Sequence, residues 1–516
     1  MSTKLPFGKI EFNLGSAPAS SRSQRDPEAP FRLALLGDFS GRASRRVVEP
    51  IAGRRAWPID CDNFEEAFSR MNVTLRLPAP WTPAEPIELR FASMDDFHPD
   101  RILTQVKPLG ALVEKRKELL NPATAAAAAA ELQTQLGLQA GADADLTPPS
   151  PGVSPNPSPE SNEDTLARLL GGAPPIQAPT PPSAPRSGPD LSQLIRNIIA
   201  PSVIPSASPE QTAVLSALDL ELAHQLRAIL HHPAWQALEA AWRGADLLVR
   251  QFGAEENLQL SLIDISLEEL AADLQATEEL AGSGTCKLLR AQASDAPWAL
   301  LIGNYMFRPT TGDLQTLGRV GKISALLGVP FLAGATPGFV SCDSFGARPD
   351  PDDWNRPMTD AVLETWQALR ELPEASCLGL ALPRFLARQP YGKQSDSIDA
   401  FPFEELSDGS AHESFLWGNP AVLCGFVIAD AFQAEGWEMQ VTGSGEVGDL
   451  PVYKFKDDGE TKVKPCAEAW LSERAGEAIQ SQGLMPLLSI KGRDAVRLAC
   501  LQSISRVSSS LNGRWG

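Results

Sequence analysis

The chain has 516 residues, 43% of them hydrophobic, and a formal net charge of −19. It can bury sizeable cores but lacks the basic surface that general binding to nucleic acid or an anionic membrane requires. No apolar run approaches the ~20 residues needed to span a bilayer, and the N-terminal MSTKLPFGKIEFNL has no secretory h-region, so no membrane insertion and a cytoplasmic location are expected. Its seven cysteines are odd in number, dispersed and free of any CxxC, which predicts reduced thiols rather than a disulfide framework or a zinc site.

Near the N-terminus Lys9, Ile10, Glu11, Phe12, Asn13 and Leu14 alternate as a short strand, followed by a polar stretch. The backbone of an isolated strand needs partners, so it either folds back on its own domain or pairs with another sheet's edge. FRLALLGDFSGR predicts a buried strand at Phe31–Leu36 ending in a Gly-Asp turn. In GRASRRVVEPIAGRRAW the pairs Arg45, Arg46 and Arg54, Arg55 depart from the acidic balance; they read as a solvated or ion-paired loop, or as a charge-mediated protein contact. VTLRLP (73–78) and IELRFAS (87–93) alternate as half-buried strands of one small sheet, and Ile102, Leu103, Val106, Leu109, Leu112 and Val113 have the spacing of a helical cover. The alanine run 125–130 favours helix without an apolar face beyond Leu132 and Leu136.

From Thr147 to Pro209 the chain is dominated by Pro, Ser, Ala and Gly, too poor in apolar side chains to offset its ordering entropy, so a disordered linker is expected. Beyond it, Leu218, Leu222, Leu226, Ile229 and Leu230 form a helical stripe. HHPAWQALEAAWRG restarts a helix at Pro233 with Trp235, Leu238 and Trp242 on one face. Leu258, Leu260 and Leu262 lie on a strand, and Ser266 with Glu269 forms a capping box opening ISLEELAADLQA. WALLIG, a helix through Leu317, Val320 and Leu327, and VPFLAG continue a β-α-β-α-β order. That order predicts a mostly parallel sheet covered on both faces, extended by CLGLALPRFL, NPAVLCGFVIADAF and GLMPLLSI.

Chemistry finds little footing. GSGEVG (443–448) fits G-x-G-x-x-G, but DLPVYKF after it reads as a strand where a dinucleotide site needs a helix N-terminus. There is no GxxxxGK[ST], HExxH or GxSxG, and only five histidines. His231 and His232 lack a third ligand at helical spacing and suit the turn before Pro233. Asp38, Asp95 and Asp96 occupy turn positions where Asp caps amides. No catalytic residue, cofactor or metal is therefore assigned.

LLGDFSGR (35–42), IDCDNFEEAF (59–68) and LRFASMDDFHPDRI (89–102) resemble the small subunit of the type VI secretion contractile sheath. LRAILHHPAWQALEAAWRG (226–244), LLIGNYMF (300–307), PFLAGATPGF (330–339), LALPRFLARQPYG (380–392) and FLWGNPA (415–421) are similar to the large subunit. The resemblance implies a small-subunit and large-subunit fusion: a flexible arm over 1–28 carrying a donated-strand candidate at Lys9–Leu14, a small-subunit-like domain over 29–121, an Ala/Pro-rich linker over 122–209 and a large-subunit-like domain over 210–516. The expected fold class is α/β: a small mixed sheet domain with helical cover, a long disordered linker, then a larger mostly parallel α/β domain.

The family forms a cytoplasmic tube that contracts to expel an inner tube, with protomers stitched by donated strands, so other sheath subunits are the implied partners. Two departures stand out. The chain stops at SISRVSSSLNGRWG, short of the family's further C-terminal segment, and Asn304 stands where the family usually has Asp. A donor without an acceptor implies a sheath cap, terminator or baseplate-side adaptor, with baseplate or inner-tube proteins as partners. LSQLIRNIIA, apolar at Leu191, Leu194, Ile195, Ile198 and Ile199, gives the alternative of a non-polymerising module recruiting the sheath-recycling AAA+ unfoldase. A linker of ~60 residues spans roughly 40–50 Å, which leaves pairing of the halves within one chain or between neighbours both open.

Overall fold

The apolar run after Pro30 forms β1 (Phe31–Gly37), buried at every position but Arg32. A strand without a polar face needs cover on both sides and partners at both edges. In the computed structural model, which describes residues 7, 29–81, 85–135, 209–293, 296–407, 412–440, 444–457 and 460–515, those partners come from the other end of the chain. β1 runs parallel to β5 (Leu258–Asp264) from Phe31↔Leu258 to Gly37↔Asp264, and parallel to β6 (Leu300–Phe307) from Leu33↔Leu300 to Leu36↔Gly303.

The sheet has nine strands. From β6 it continues in parallel through β7 (Phe331–Ala335), β8 (Leu378–Leu382) and β14 (Met485–Ser489), then turns antiparallel at β15 (Val496–Leu498) and β11 (Gly445–Val447). At the opposite edge β2 (Trp57–Ile59) lies antiparallel to β5. The larger, mostly parallel sheet is as expected, and it takes β1 and β2 from the 29–121 segment of the same chain. The small sheet of that segment is the hairpin β3 (Thr74–Pro78) with β4 (Pro86–Arg90). Two further pairs are β9 (Phe385–Leu386) with β10 (Trp417–Gly418), and β12 (Tyr453–Asp457) with β13 (Glu460–Lys464).

Helices cover both faces, and local chemistry sets their ends. His232 caps the Pro233–Phe252 helix through Nδ1, with Pro233 in the first turn, and Ser266 and Glu269 close the capping box of the Leu267–Gln275 helix. The helical cover read as one run is two helices, Pro99–Gln105 and Lys107–Leu120, parted at extended Val106. The reason is Pro108, which has no N–H to give Thr104 and so breaks the ladder.

The chain divides into two compact units, 1–114 with 218–516, and 115–217. In the second, the Ala125–Gln135 helix follows a turn at Asn121–Thr124, and Lys115 bridges Glu118 at 3.0 Å and Glu131 at 2.7 Å. Lys9–Leu14 and Leu191–Ala200 lie outside the described residues.

Phe7 joins the main core and is 1% exposed. It lies so close over Gly318 that a Cβ there would stand 2.3 Å from its ring. Only glycine permits that approach on the Thr311–Leu327 helix. Gly318→Ala is expected to lose about 1–3 kcal/mol in urea melts by evicting Phe7, and to cost much less in a Phe7→Ala background, the coupling a double-mutant cycle reads.

Candidate functional site

The seam between the 29–121 segment and the 210–516 segment is built first from aromatic rings. Trp235 and Trp242 lie two turns apart on one face of the Pro233–Phe252 helix, and both are fully buried. Trp242 stacks on Phe68 at 3.7 Å between centroids and meets Phe39 and Phe64 edge-on at 5.6 Å each. Its indole N–H donates to the Phe39 carbonyl at 2.8 Å. Trp235 packs on Phe91 and Phe97 at 5.5 and 5.6 Å and donates to Glu239 at 3.0 Å. Five phenylalanines of the first segment thus surround two tryptophans of the second, and each indole keeps a partner, as buried indoles require.

Around the strand ends the seam is ionic. Asp38, at the end of β1, accepts from the amides of Arg42 at 2.6 Å and Ala43 at 2.9 Å. Asp264, at the end of β5, accepts from the amides of Phe39 and Ser40 and from the Ser40 hydroxyl at 2.6 Å. Burial pushes both carboxyls above their ordinary values against those bonds. Asn304, beside Gly37 on β6, is neutral at a place where a carboxylate would add a further like charge.

Glu269 receives Arg42 at 3.0 Å and the fork of Arg54, while Arg42 also reaches Glu49 at 3.1 Å. Burial opposes ionisation of Glu269, but Arg54, the Ser266 amide and Arg42 prevail and hold it below the usual carboxylate range. One residue therefore caps a helix of the larger segment and pins two arginines of the smaller. Of the paired arginines in the basic loop, Arg54 is an ion-pair residue, Arg45 donates to the Ser40 carbonyl at 2.9 Å, Arg55 lies over Trp57, and Arg46 is exposed.

Two further lattices lie in the larger segment. Arg388 bridges Glu239 at 2.7 Å and Glu405 at 2.6 Å; Glu239 also takes Arg243, and the Tyr391 amide donates to Glu405. The Tyr391 hydroxyl reaches back across the seam to the Phe97 carbonyl at 3.4 Å. In the second, His412 Nε2 lies 3.0 Å from Glu468, Lys464 Nζ stands 2.9 Å from His412 Nδ1, and the Arg384 fork holds Glu413 and Glu468. His412, Glu413 and Glu468 place ligand atoms within 4.8 Å of one another, but a cation there would have to displace Arg384 from both carboxylates.

None of the sequence-assigned interaction residues (Lys9, Ile10, Glu11, Phe12, Asn13, Leu14, Leu194, Ile195, Ile198, Ile199) falls among the described residues. What sequence reading lacked was the seam itself. The Trp235–Trp242 face carried a signal, whereas nothing local marks Glu269 as an arginine acceptor. Among the described residues no helix is long and apolar enough to cross a membrane.

The structure is an α/β sheet whose interior strand comes from a separate segment of the chain, with the buried charges of the seam bound to one another. Residues 212–505 match the VipB (EvpB) family model, described as the tail sheath N-terminal domain, and residues 11–139 match the VipA family model of the type VI secretion system. The chain belongs to the VipB tail-sheath family and carries a VipA region ahead of it. It is 33% identical over 304 residues to the type VI secretion system sheath protein TssC1 of Pseudomonas aeruginosa, covering 57% of this chain and 61% of that protein. It is 28% identical over 125 residues to TssB1 of the same organism, covering 23% of this chain and 70% of that one. The chain thus spans less than two thirds of the length of TssC1.

Glu269→Ala takes from Arg54 its carboxylate partner and leaves Arg42 with the exposed Glu49 and the more distant Asp264, and it is expected to destabilise by about 3–5 kcal/mol in denaturant melts. Glu405 and Glu468 are each held at about 2. Burial would raise both, but Arg388 and His231 for Glu405, and His412 and Arg384 for Glu468, reverse it. Their folded values lie below the unfolded value of about 4.3, so their stabilisation is complete above that pH and lost as pH falls toward 2. These two groups contribute no pH dependence between about pH 7 and 5, and below about pH 4.5 the melting temperature of Glu405→Gln is expected to fall more shallowly with pH than that of the parent chain.

Proposed function

We propose that this chain is a non-enzymatic structural component of a type VI secretion contractile sheath, acting in the cytoplasm as a small-subunit and large-subunit pair on one polypeptide. The observation that carries the reading is β1: the VipA-like segment supplies an interior strand to the VipB-like sheet of the same chain, with parallel partners on both sides. Such a tethered pair has a fixed one-to-one stoichiometry and needs no search for its partner. Other sheath subunits are the partners that fit it, and the finer role proposed is that of sheath cap, terminator or baseplate-side adaptor. Recruitment of an AAA+ unfoldase through Leu191–Ala200 remains the alternative from another class.

Phe7 bears on how a strand at Lys9–Leu14 would be donated. Its ring is seated in this chain's own core against Gly318, so the strand begins two residues from an anchor. Leu14 can then lie no more than about 25 Å from Phe7. Donation would reach only an immediate neighbour, as stitching between adjacent protomers requires.

Negative-stain electron microscopy of the full chain, alone and with a small-subunit and large-subunit sheath pair from the same organism, tests the proposal. Particles at the ends of co-assembled tubes, with shorter tubes at excess, are expected for a cap or adaptor. Tubes from the chain alone would make it a self-sufficient sheath subunit. Absence of any association with the sheath pair would overturn the sheath reading. Replacing Ile10, Phe12 and Leu14 by Asp is expected to abolish end binding while leaving the melting temperature unchanged.

A further inference from the structure

The chain carries a net charge of −19, yet four arginines cluster within Arg45–Arg55, and the fold uses only part of that charge. Arg54 is bound to Glu269 and Arg45 to the Ser40 carbonyl. Arg46 and Arg55 are exposed, and neither makes an ion pair with a described residue. The Arg55 guanidinium lies 3.6 Å from the Trp57 ring centroid, and Val48, between the two arginines in sequence, is 84% exposed. A cation stacked on an indole and an open valine form a surface suited to burial against an acidic partner.

At the other end of β2 the charge is reversed. A cleft of about 690 Å³ opens where the chain leaves β2, lined in part by Asp60, Asp62, Glu255, Glu256 and Gln259. Asp60 is engaged in its own turn with Asn63, and Glu255 accepts from Gln433. Asp62 and Glu256 are exposed without an ion-pair partner among the described residues. Arg32, the cation among the lining residues, is turned to the Gln292 and Ala296 carbonyls and over Trp298.

From the loop into the cleft runs β2, an edge strand with Pro58 at its centre, and Ala56, Pro58 and Ile59 form part of the cleft wall. Proline offers no N–H, so this edge is poorly suited to extension by backbone pairing, and a contact here is made by side chains. We propose that the occupant is a second copy of this chain: the basic loop of one copy, through Arg46, Val48 and Arg55, docks in the acidic cleft at Asp62 and Glu256 of the other. Every copy carries both halves, so the surface is complementary to itself. The contact involves this chain alone and stands or falls apart from the sheath reading.

Sedimentation velocity of the full-length chain at about 0.05 M and about 0.5 M salt tests it, since exposed pairs are screened as the Debye length shrinks. Self-association that weakens at high salt is expected. Arg46→Glu with Arg55→Glu should weaken it about tenfold at low salt, the sum of a few exposed pairs. Asp62→Lys with Glu256→Lys should do the same, and a chain carrying all four reversals should recover it. A chain monomeric at low salt, association indifferent to either pair of reversals, or failure of the fourfold variant to recover while its melting temperature is unchanged would each overturn the contact.

Discussion

Everything in the larger sheet depends on β1 having two parallel neighbours. β5 and β6 each present a row of backbone donors and acceptors toward the gap between them, and the seven-residue β1 satisfies both rows at once. Removing it would leave two open edges in the middle of the sheet, where helices on both faces keep water away and each unmet backbone group costs on the order of 1–3 kcal/mol. The sheet therefore cannot be considered complete without the N-terminal segment, although more than two hundred residues of chain separate β1 from β5. The long intervening stretch is tolerable because loop-closure entropy grows only with the logarithm of its length.

The way the two segments grip each other follows from that insertion. Where β1 and β5 end, Asp38 and Asp264 catch the amides of the turn that leads the chain away, and Glu269 receives the arginines that the turn presents. Apolar burial against Trp235 and Trp242 supplies the bulk of the cohesion, while the ionic groups fix orientation. Charges this deep are costly unless fully paired, and here each carboxylate at the seam has two or more donors. The same economy appears at Glu239–Arg388–Glu405, where Tyr391 links the lattice back to the first segment through Phe97.

Much of the local structure was legible beforehand. The continuous apolar run at Phe31–Leu36, the Ser266–Glu269 box, the Pro233 restart and the tryptophan face each rest on contacts within a turn or two, so spacing alone exposes them. The break at Val106 was missed because hydrophobic periodicity runs straight through it, and only the missing N–H of Pro108 interrupts the ladder. The candidate site was legible by half. The Trp face announced that something packs there, but the five phenylalanines that do so are spread from Phe39 to Phe97, and no pattern in either stretch names the other. The role of Glu269 was hidden by its own cap, a sufficient local reason for a glutamate at that position.

The sequence by itself determined the element types, the acidic balance and the presence of two patterned segments with a polar, proline-rich stretch between them, because those properties belong to residues and their near neighbours. Only the tertiary structure decided that the first segment threads its strand between two strands of the second, that Phe7 seats on Gly318, and which arginines of the basic loop are spent inside. Those outcomes turn on pairing across distant parts of the chain. Strand order, the close approach that a glycine allows and the partner of a buried charge are set by whichever surfaces meet, and no local window of the chain encodes that meeting.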